Sequence, residues 1–337
     1  MKRKLVMIVV ALQILVLMGM AAKRETIRAL GDEIYLRSAP IDPRDPFRGD
    51  FVRLDYLMSV VGADQLQGIP SEYLTKKGRV VYAVLKEDGN GLYSLDHVTA
   101  EQPEGGIFIK GRTDNYRYSQ PDQLRVKYGI EQYFVQQGKG LEMESKLGTR
   151  TGLQIPIEMR IAIGGDGTAV ITGHRWSELG VQLEVTRSVD RATDTDSTEA
   201  SSRSPAVRIT LKNVSPEPLL LANPGNNCAF HLVDATVQGA RLIPADTQCS
   251  QVNVSAEDVH TLAPKESYSV NIDLVDPRWH LWNGNNREEI GAVQGFRRFR
   301  FEYRSPTREE AQQLGDSDSF WIGTMPTPAF SNRGRVD

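Results

Sequence analysis

Cysteine is almost absent, with 2 in 337 residues and only 5 histidines beside them. Numbers that small exclude a cysteine-rich zinc module and a disulfide-dense scaffold, which need ligands or bridges in sets. Neither sign of charge dominates: 40 Lys+Arg face 43 Asp+Glu, a net charge of −3. Without a local surplus of cations there is no electrostatic footprint for nucleic acid, so no nucleic-acid partner is expected. The common catalytic motifs are missing too. There is no His-Glu-x-x-His, no phosphate loop, no Gly-x-Ser-x-Gly and no dinucleotide fingerprint. His97, His174, His231, His260 and His280 are scattered along the chain. No catalytic residue, metal or cofactor is expected from these patterns. Long apolar runs are also missing, with one exception.

That exception opens the chain. Lys2, Arg3 and Lys4 precede an 18-residue apolar run, Leu5–Ala22, in which Gln13 is the only strongly polar residue. As a helix it is about 27 Å long, close to the thickness of a hydrocarbon core. A basic start and an apolar stretch also describe a secretory signal, and Gly19-Met20-Ala21-Ala22 offers small residues for cleavage. The run exceeds a signal core in length, and Lys23–Leu30 continues as good helix to a cap at Gly31. The expectation is an uncleaved anchor in membrane lipid. Its short tail is expected to be cytoplasmic and the bulk of the chain extracytoplasmic, in periplasm or at the cell surface.

At roughly 100–200 residues per domain, the length predicts two further domains. Short strands and turns fill the chain after Gly31, so the fold class is all-β. The expected division is 1–30 tail and anchor, 31–172 a small β-barrel or sandwich, and 173–337 an Ig-like β-sandwich. In the first β region, Pro40, Pro43 and Pro46 forbid helix. Asp42, Arg44, Asp45, Arg48 and Asp50 crowd the same stretch. Such a cluster can bind a metal, a phosphate or a partner. It can equally pair internally and pin the turn, and the expected role of Asp42, Arg44, Asp45, Arg48, Gly49 and Asp50 is structural. Phe51–Tyr56 then alternates as a half-buried strand.

The segment Arg48-Gly49-Asp50-Phe51-Val52-Arg53-Leu54-Asp55-Tyr56 resembles the signature of the GDYXXLXY family, with Phe51 in place of the usual Tyr. Pro40–Arg48 matches the proline-rich stretch before it. Tyr128–Val135, followed by Gly138-Lys139-Gly140, resembles the family's second conserved stretch. The resemblance covers roughly 25–172. It implies a membrane-anchored protein, often encoded beside multi-pass membrane proteins, and brings no catalytic residues with it. Its motif positions here include Leu54 and Tyr56.

Further strands are read at 79–86, 92–95, 107–112 and 154–163, with a hairpin turn at Asp88-Gly89-Asn90-Gly91 and a short helix over 141–147. In the second β region, residues 188–205 hold eight Ser/Thr among eighteen and should form a mobile loop. Strands are read at 181–187, 207–214, 229–234, 298–303 and 319–324, with a turn followed by a strand over 261–272, the spacing of an Ig-like sandwich. The run Thr210–Pro218 also resembles Ig-like modules of the intracellular-proteinase-inhibitor type, and no inhibitor activity is carried over. Cys228 and Cys249 leave three options open: a disulfide, free thiols or a metal pair. The disulfide is the expected one in an oxidising compartment. Trp279, His280 and Trp282 form an aromatic knot that either caps the core or binds a partner.

The functional expectation is a membrane-anchored envelope protein that acts by binding, with a multi-pass membrane protein as its partner. The enzymatic alternative is a Ser/Lys peptidase of the signal-peptidase kind. It would use Ser38 after the span, with Pro40 and Gly49-Asp50 in the turn and Lys86 as base. That chemistry needs a lysine desolvated beside the serine.

Overall fold

The computed structural model describes residues 2–41, 51–114, 123–136, 139–149, 151–189, 204–235, 241–242, 249, 253–283, 286–293, 295–315 and 318–336. Asp42, Arg44, Asp45, Arg48, Gly49 and Asp50 lie outside them, as do 190–203 of the Ser/Thr-rich segment.

The chain is mostly β, with one long apolar helix, Lys2–Leu30. That helix is long and apolar enough to cross a membrane. It runs unbroken into Asp32–Ile41 through Gly31. The Gly31 N–H donates to the Ile27 carbonyl at 2.8 Å, and the close approach there needs glycine. A side chain at Gly31 would meet the Ile163 carbonyl oxygen at 2.7 Å.

Asp32–Ile41 organises the first β region. It pairs antiparallel with Ile157–Ile163 on one edge, and with Leu92–Thr99 (parallel) and Phe51–Tyr56 (antiparallel) as well. Eleven strands join this sheet. It curls until the Lys110 N–H donates to the Gly167 carbonyl at 2.8 Å, bending one end towards a barrel. Alternating residues such as Ile34, Leu36, Val81, Ala83, Ile109, Val126, Met159 and Ile161 fill its core. Each large aliphatic side chain buried there contributes about 1.5–3 kcal/mol. The hairpin joining Val80–Gly89 to Leu92–Thr99 turns on Asn90 (φ 52°) and Gly91 (φ 70°). Both central residues at positive φ make the tight turn that matches strand twist, the reason for the Asn-Gly pair.

The second β region has its own core. The strands Leu179–Arg187, Ala206–Asn213 and Ser267–Asp273 form one sheet. A five-stranded sheet built on Phe230–Asp234 and Arg298–Arg304 forms the other. Val181, Leu183, Ile209 and Ile272 from the first meet Phe230, Phe299, Phe301 and Phe330 from the second. Trp279 is buried against Phe301, ring centroids 5.2 Å apart, while Trp282 stays half-exposed. The knot therefore divides between core and surface.

Several boundaries differ from the sequence reading, and the strand Ala169–Trp176 carries the first sheet past the expected division at 172. The short helix starts earlier, at Lys139–Leu147. Residues 319–324 are not a strand. Phe320 makes a single bridge to Leu220, and the ladder resumes at Thr324–Pro326 and Phe330–Ser331. Phe320, Trp321 and Ile322 are all buried, Phe320 and Ile322 in one cluster and Trp321 in the main core. The side chains alternate as in a strand, but the backbone turns at Gly323 (φ 142°) after that single bridge.

Candidate functional site

The motif strand Phe51–Tyr56 sits between two partners. On one edge Tyr56, Asp55, Leu54 and Arg53 face Ser38, Ala39, Pro40 and Ile41. On the other, Phe51, Val52 and Arg53 face Phe134, Tyr133 and Gln132. The second stretch thus folds directly onto the first. Val52, Leu54 and Tyr56 point into the core, at 1%, 2% and 3% exposure. Leu54 and Tyr56 are therefore packing residues.

Polar atoms lock the junction. The Tyr56 hydroxyl donates to the Ile130 carbonyl at 3.0 Å, and the Leu54 N–H donates to the Glu131 carbonyl at 2.9 Å. The Tyr128 hydroxyl reaches back to the Met58 carbonyl at 2.8 Å. The Glu131 carboxylate accepts from the Tyr128 and Gly129 amides at 2.5 and 3.0 Å. Gly129 holds φ +80°, a backbone angle that L side chains rarely adopt. Burial pushes both the Tyr56 and Tyr128 hydroxyls well above the ordinary phenol range, with Glu131 adding to it. At neutral pH they serve as hydrogen-bond donors, not as acid–base groups. Burial also raises Asp55, against the lowering charges of Arg125 and Arg53.

Beside the junction lies a half-buried aromatic patch. Tyr133 Oη stands 3.4 Å from His174 Nδ1, and Trp176 meets the His174 ring edge-on. Lys146 Nζ lies 4.7 Å over the Trp176 ring. Burial, then the Lys146 charge, lowers the His174 pKa.

The proposed Ser/Lys pair is not brought into a catalytic arrangement. Ser38 is buried and its hydroxyl donates to the Asp55 carbonyl at 3.2 Å. Lys86 is exposed. An exposed lysine lacks the desolvation that this chemistry needs.

Two contacts went unread in the sequence. The first is the foot of the helix. Ile27 is buried and packs where a side chain on Gly164 would meet it at 2.9 Å. One turn earlier, Lys23 Nζ pairs with Asp166 at 2.7 Å and holds that carboxyl down at about 2. Gly164-Gly165-Asp166-Gly167 was legible as a turn, but nothing in its spacing names a helix as its neighbour. The second is the seam between the two β regions. Glu158 is buried between Arg37 (3.0 Å) and Arg175 (2.7 Å), and Arg175 stacks 3.7 Å over Tyr35. Arg37 also lies 5.8 Å over Trp321, and a side chain on Gly89 would collide with Ile322. Glu302 is bracketed by Arg300 (2.8 Å) and Arg304 (3.2 Å).

Cys228 and Cys249 form a disulfide, Cα atoms 5.4 Å apart. Among the described residues no cluster of three metal-binding side chains occurs.

No curated protein and no solved structure matches the chain. One family model does, over the second half of the apolar helix, the motif strand and the stretch that locks it. Residues 13–173 match the model described as GDYXXLXY protein, and this part of the chain is similar to that family.

Proposed function

We propose that this chain is a non-enzymatic, single-pass envelope protein that binds or assists a multi-pass membrane protein in the same bilayer. Leu5–Ala22 lies in lipid, the short basic tail faces the cytoplasm and the β regions stand outside it. The observation that supports this reading is the foot of the helix. A flexible tether would leave the β regions free to tumble above the bilayer. Here Ile27 and the Lys23–Asp166 pair fix the helix end to the β body. A body held at a set angle presents one surface to a neighbour in the same membrane, which lowers the ordering cost of binding.

The test has two arms. A reporter enzyme active only outside the cytoplasm, fused after Asp337, is expected to be active, and the purified protein is expected to retain its first 22 residues. Full-length protein extracted in mild detergent is then expected to carry a multi-pass membrane protein in stoichiometric amount. A cytoplasmic reporter overturns the orientation. Loss of the first 22 residues overturns the anchor, and recovery of the chain without a membrane protein overturns the partner.

A further inference from the structure

The turn that follows Ile163 runs down the long helix towards its apolar part. Ile163 stands against Gly31, Gly164 against Ile27, and Asp166 lies 2.7 Å from the Lys23 ammonium. Each step moves towards the helix start, and Lys23 directly follows Ala22, where the apolar run ends. At about 1.5 Å per residue, Lys23 lies roughly 1.5 Å and Ile27 roughly 7.5 Å beyond that end. Helix side chains lean towards the helix start, which brings both contacts nearer the run. A bilayer of about 40–45 Å with about 30 Å of hydrocarbon leaves a headgroup layer of roughly 5–8 Å on each face. Under the membrane-anchor reading, on which this inference rests, both contacts of the turn fall inside that layer.

We propose that the turn 164–168 is a membrane-contact surface, seated among phospholipid headgroups beside the helix, so that the β body rests directly on the bilayer. The make-up of the turn fits that place. Three of its five residues are glycine, so it brings little side-chain bulk into a crowded layer. An unpaired carboxylate there would meet lipid phosphates as a like charge. Asp166 is instead matched by Lys23. Arg24, exposed on the helix at the same depth, offers a guanidinium to phosphate. The turn also closes on itself. The Gly164 N–H donates to the Thr168 carbonyl at 2.9 Å, and the Gly167 N–H to the Gly164 carbonyl at 2.8 Å. Gly165 stays exposed at the tip. Its peptide groups find partners among hydrated headgroups and none in hydrocarbon, which stops the turn at the surface.

The test uses the full-length chain in vesicles of phosphatidylcholine and phosphatidylglycerol, with one added cysteine at a time carrying a fluorophore. Cys228 and Cys249 are joined to each other, so the label goes to the added thiol. Gly165→Cys puts it at the tip, where a Cβ meets nothing within 4 Å. Ser145→Cys puts it at the other end of the same hairpin. Ser145 is exposed, the adjacent Lys146 lies over Trp176, and Trp176 pairs with Ile157. The strand Ile157–Ile163 separates the two ends by about 20 Å. Leu15→Cys puts the label within the apolar run. A nitroxide on the lipid headgroup is expected to quench the Gly165 label severalfold more than the Ser145 label. A nitroxide deep on the acyl chain is expected to quench the Leu15 label. Equal headgroup quenching at Gly165 and Ser145, with the Leu15 label quenched, overturns the surface contact and leaves the anchor standing. A Leu15 label that is unquenched, or lost with a cleaved segment, overturns the anchor and the surface contact together.

Discussion

The Tyr56 hydroxyl and the Ile130 carbonyl, 74 positions apart in sequence, meet in a buried 3.0 Å hydrogen bond. This bond ties the end of the motif strand to the start of the second family stretch. Tyr56→Phe leaves that carbonyl without its partner in a dry site, at a cost of about 1–2 kcal/mol. Leu54→Ala opens a core cavity and should cost about 2–5 kcal/mol. Thermal unfolding of the detergent-solubilised protein checks both. A Tyr56→Phe protein as stable as the parent would show that the motif is not primarily architectural.

The foot of the long helix can be loosened from either side. Ile27→Ala removes most of its buried side chain, and Gly164→Val pushes Ile27 out of its seat. Trypsin cleavage after Arg24 or Arg28 needs this helix end to open locally. Either substitution should raise that cleavage rate by roughly tenfold or more. Lys23→Ala should do much less. Its ion pair with Asp166 is 58% and 41% exposed, and solvent screens pairs of that kind. A larger effect from Lys23→Ala than from Ile27→Ala would reverse this ranking.

The Cys228–Cys249 bridge links positions 21 apart. Replacing both with Ser should cost about 2–4 kcal/mol, chiefly by freeing the unfolded chain. Non-reducing peptide mass spectrometry on protein from its native compartment should recover the two cysteines linked. Two thiols open to alkylation would reject the bridge.

Acid should weaken the second β region through His231. Burial, reinforced by Arg304 and opposed by Glu302, pushes its pKa from 6.5 to about 4. The unfolded chain then takes up a proton that the folded one refuses. Stability from this group is complete above about 6.5 and is lost as pH falls towards about 4. His231→Gln should flatten that loss by on the order of 1–3 kcal/mol, read from denaturant midpoints across the window. Asp88 works in the opposite direction. Burial raises its pKa despite the Ser94 hydroxyl at 2.8 Å and the charges of Lys86, Arg37 and Arg304. The folded state therefore protonates Asp88 before the unfolded one does, which offsets part of the His231 loss. Asp88→Asn should stabilise the protein at neutral pH and make its decline in acid steeper. The Asp166 contribution is lost only below the ordinary carboxylate range, as pH falls through about 2, so it does not blur this window.

What the sequence by itself determined is whatever depends on neighbours along the chain or on simple elimination. The apolar helix is legible because hydropathy adds residue by residue over Leu5–Ala22. The Asn90-Gly91 hairpin is legible because its positive φ values follow from those two residues. The disulfide follows once an oxidising compartment is assumed, since there are only two cysteines to join. Leu54 and Tyr56 were recognisable as motif positions, and their alternation already placed them on a buried face. Tertiary structure alone decided what they touch. Nothing in the spacing links Tyr56 to Ile130, Ile27 to Gly164, or the Gly89 turn to Ile322. Strand pairing and helix docking depend on contacts between residues far apart, and periodicity carries no information about which surface will meet which. The segment 319–324 shows the limit most clearly. Its apolar run reads as a strand, and Phe320 and Ile322 do share one side with Trp321 on the other, but the backbone meets a partner strand only at the Phe320–Leu220 bridge, which depends on where Leu220 lies in three dimensions.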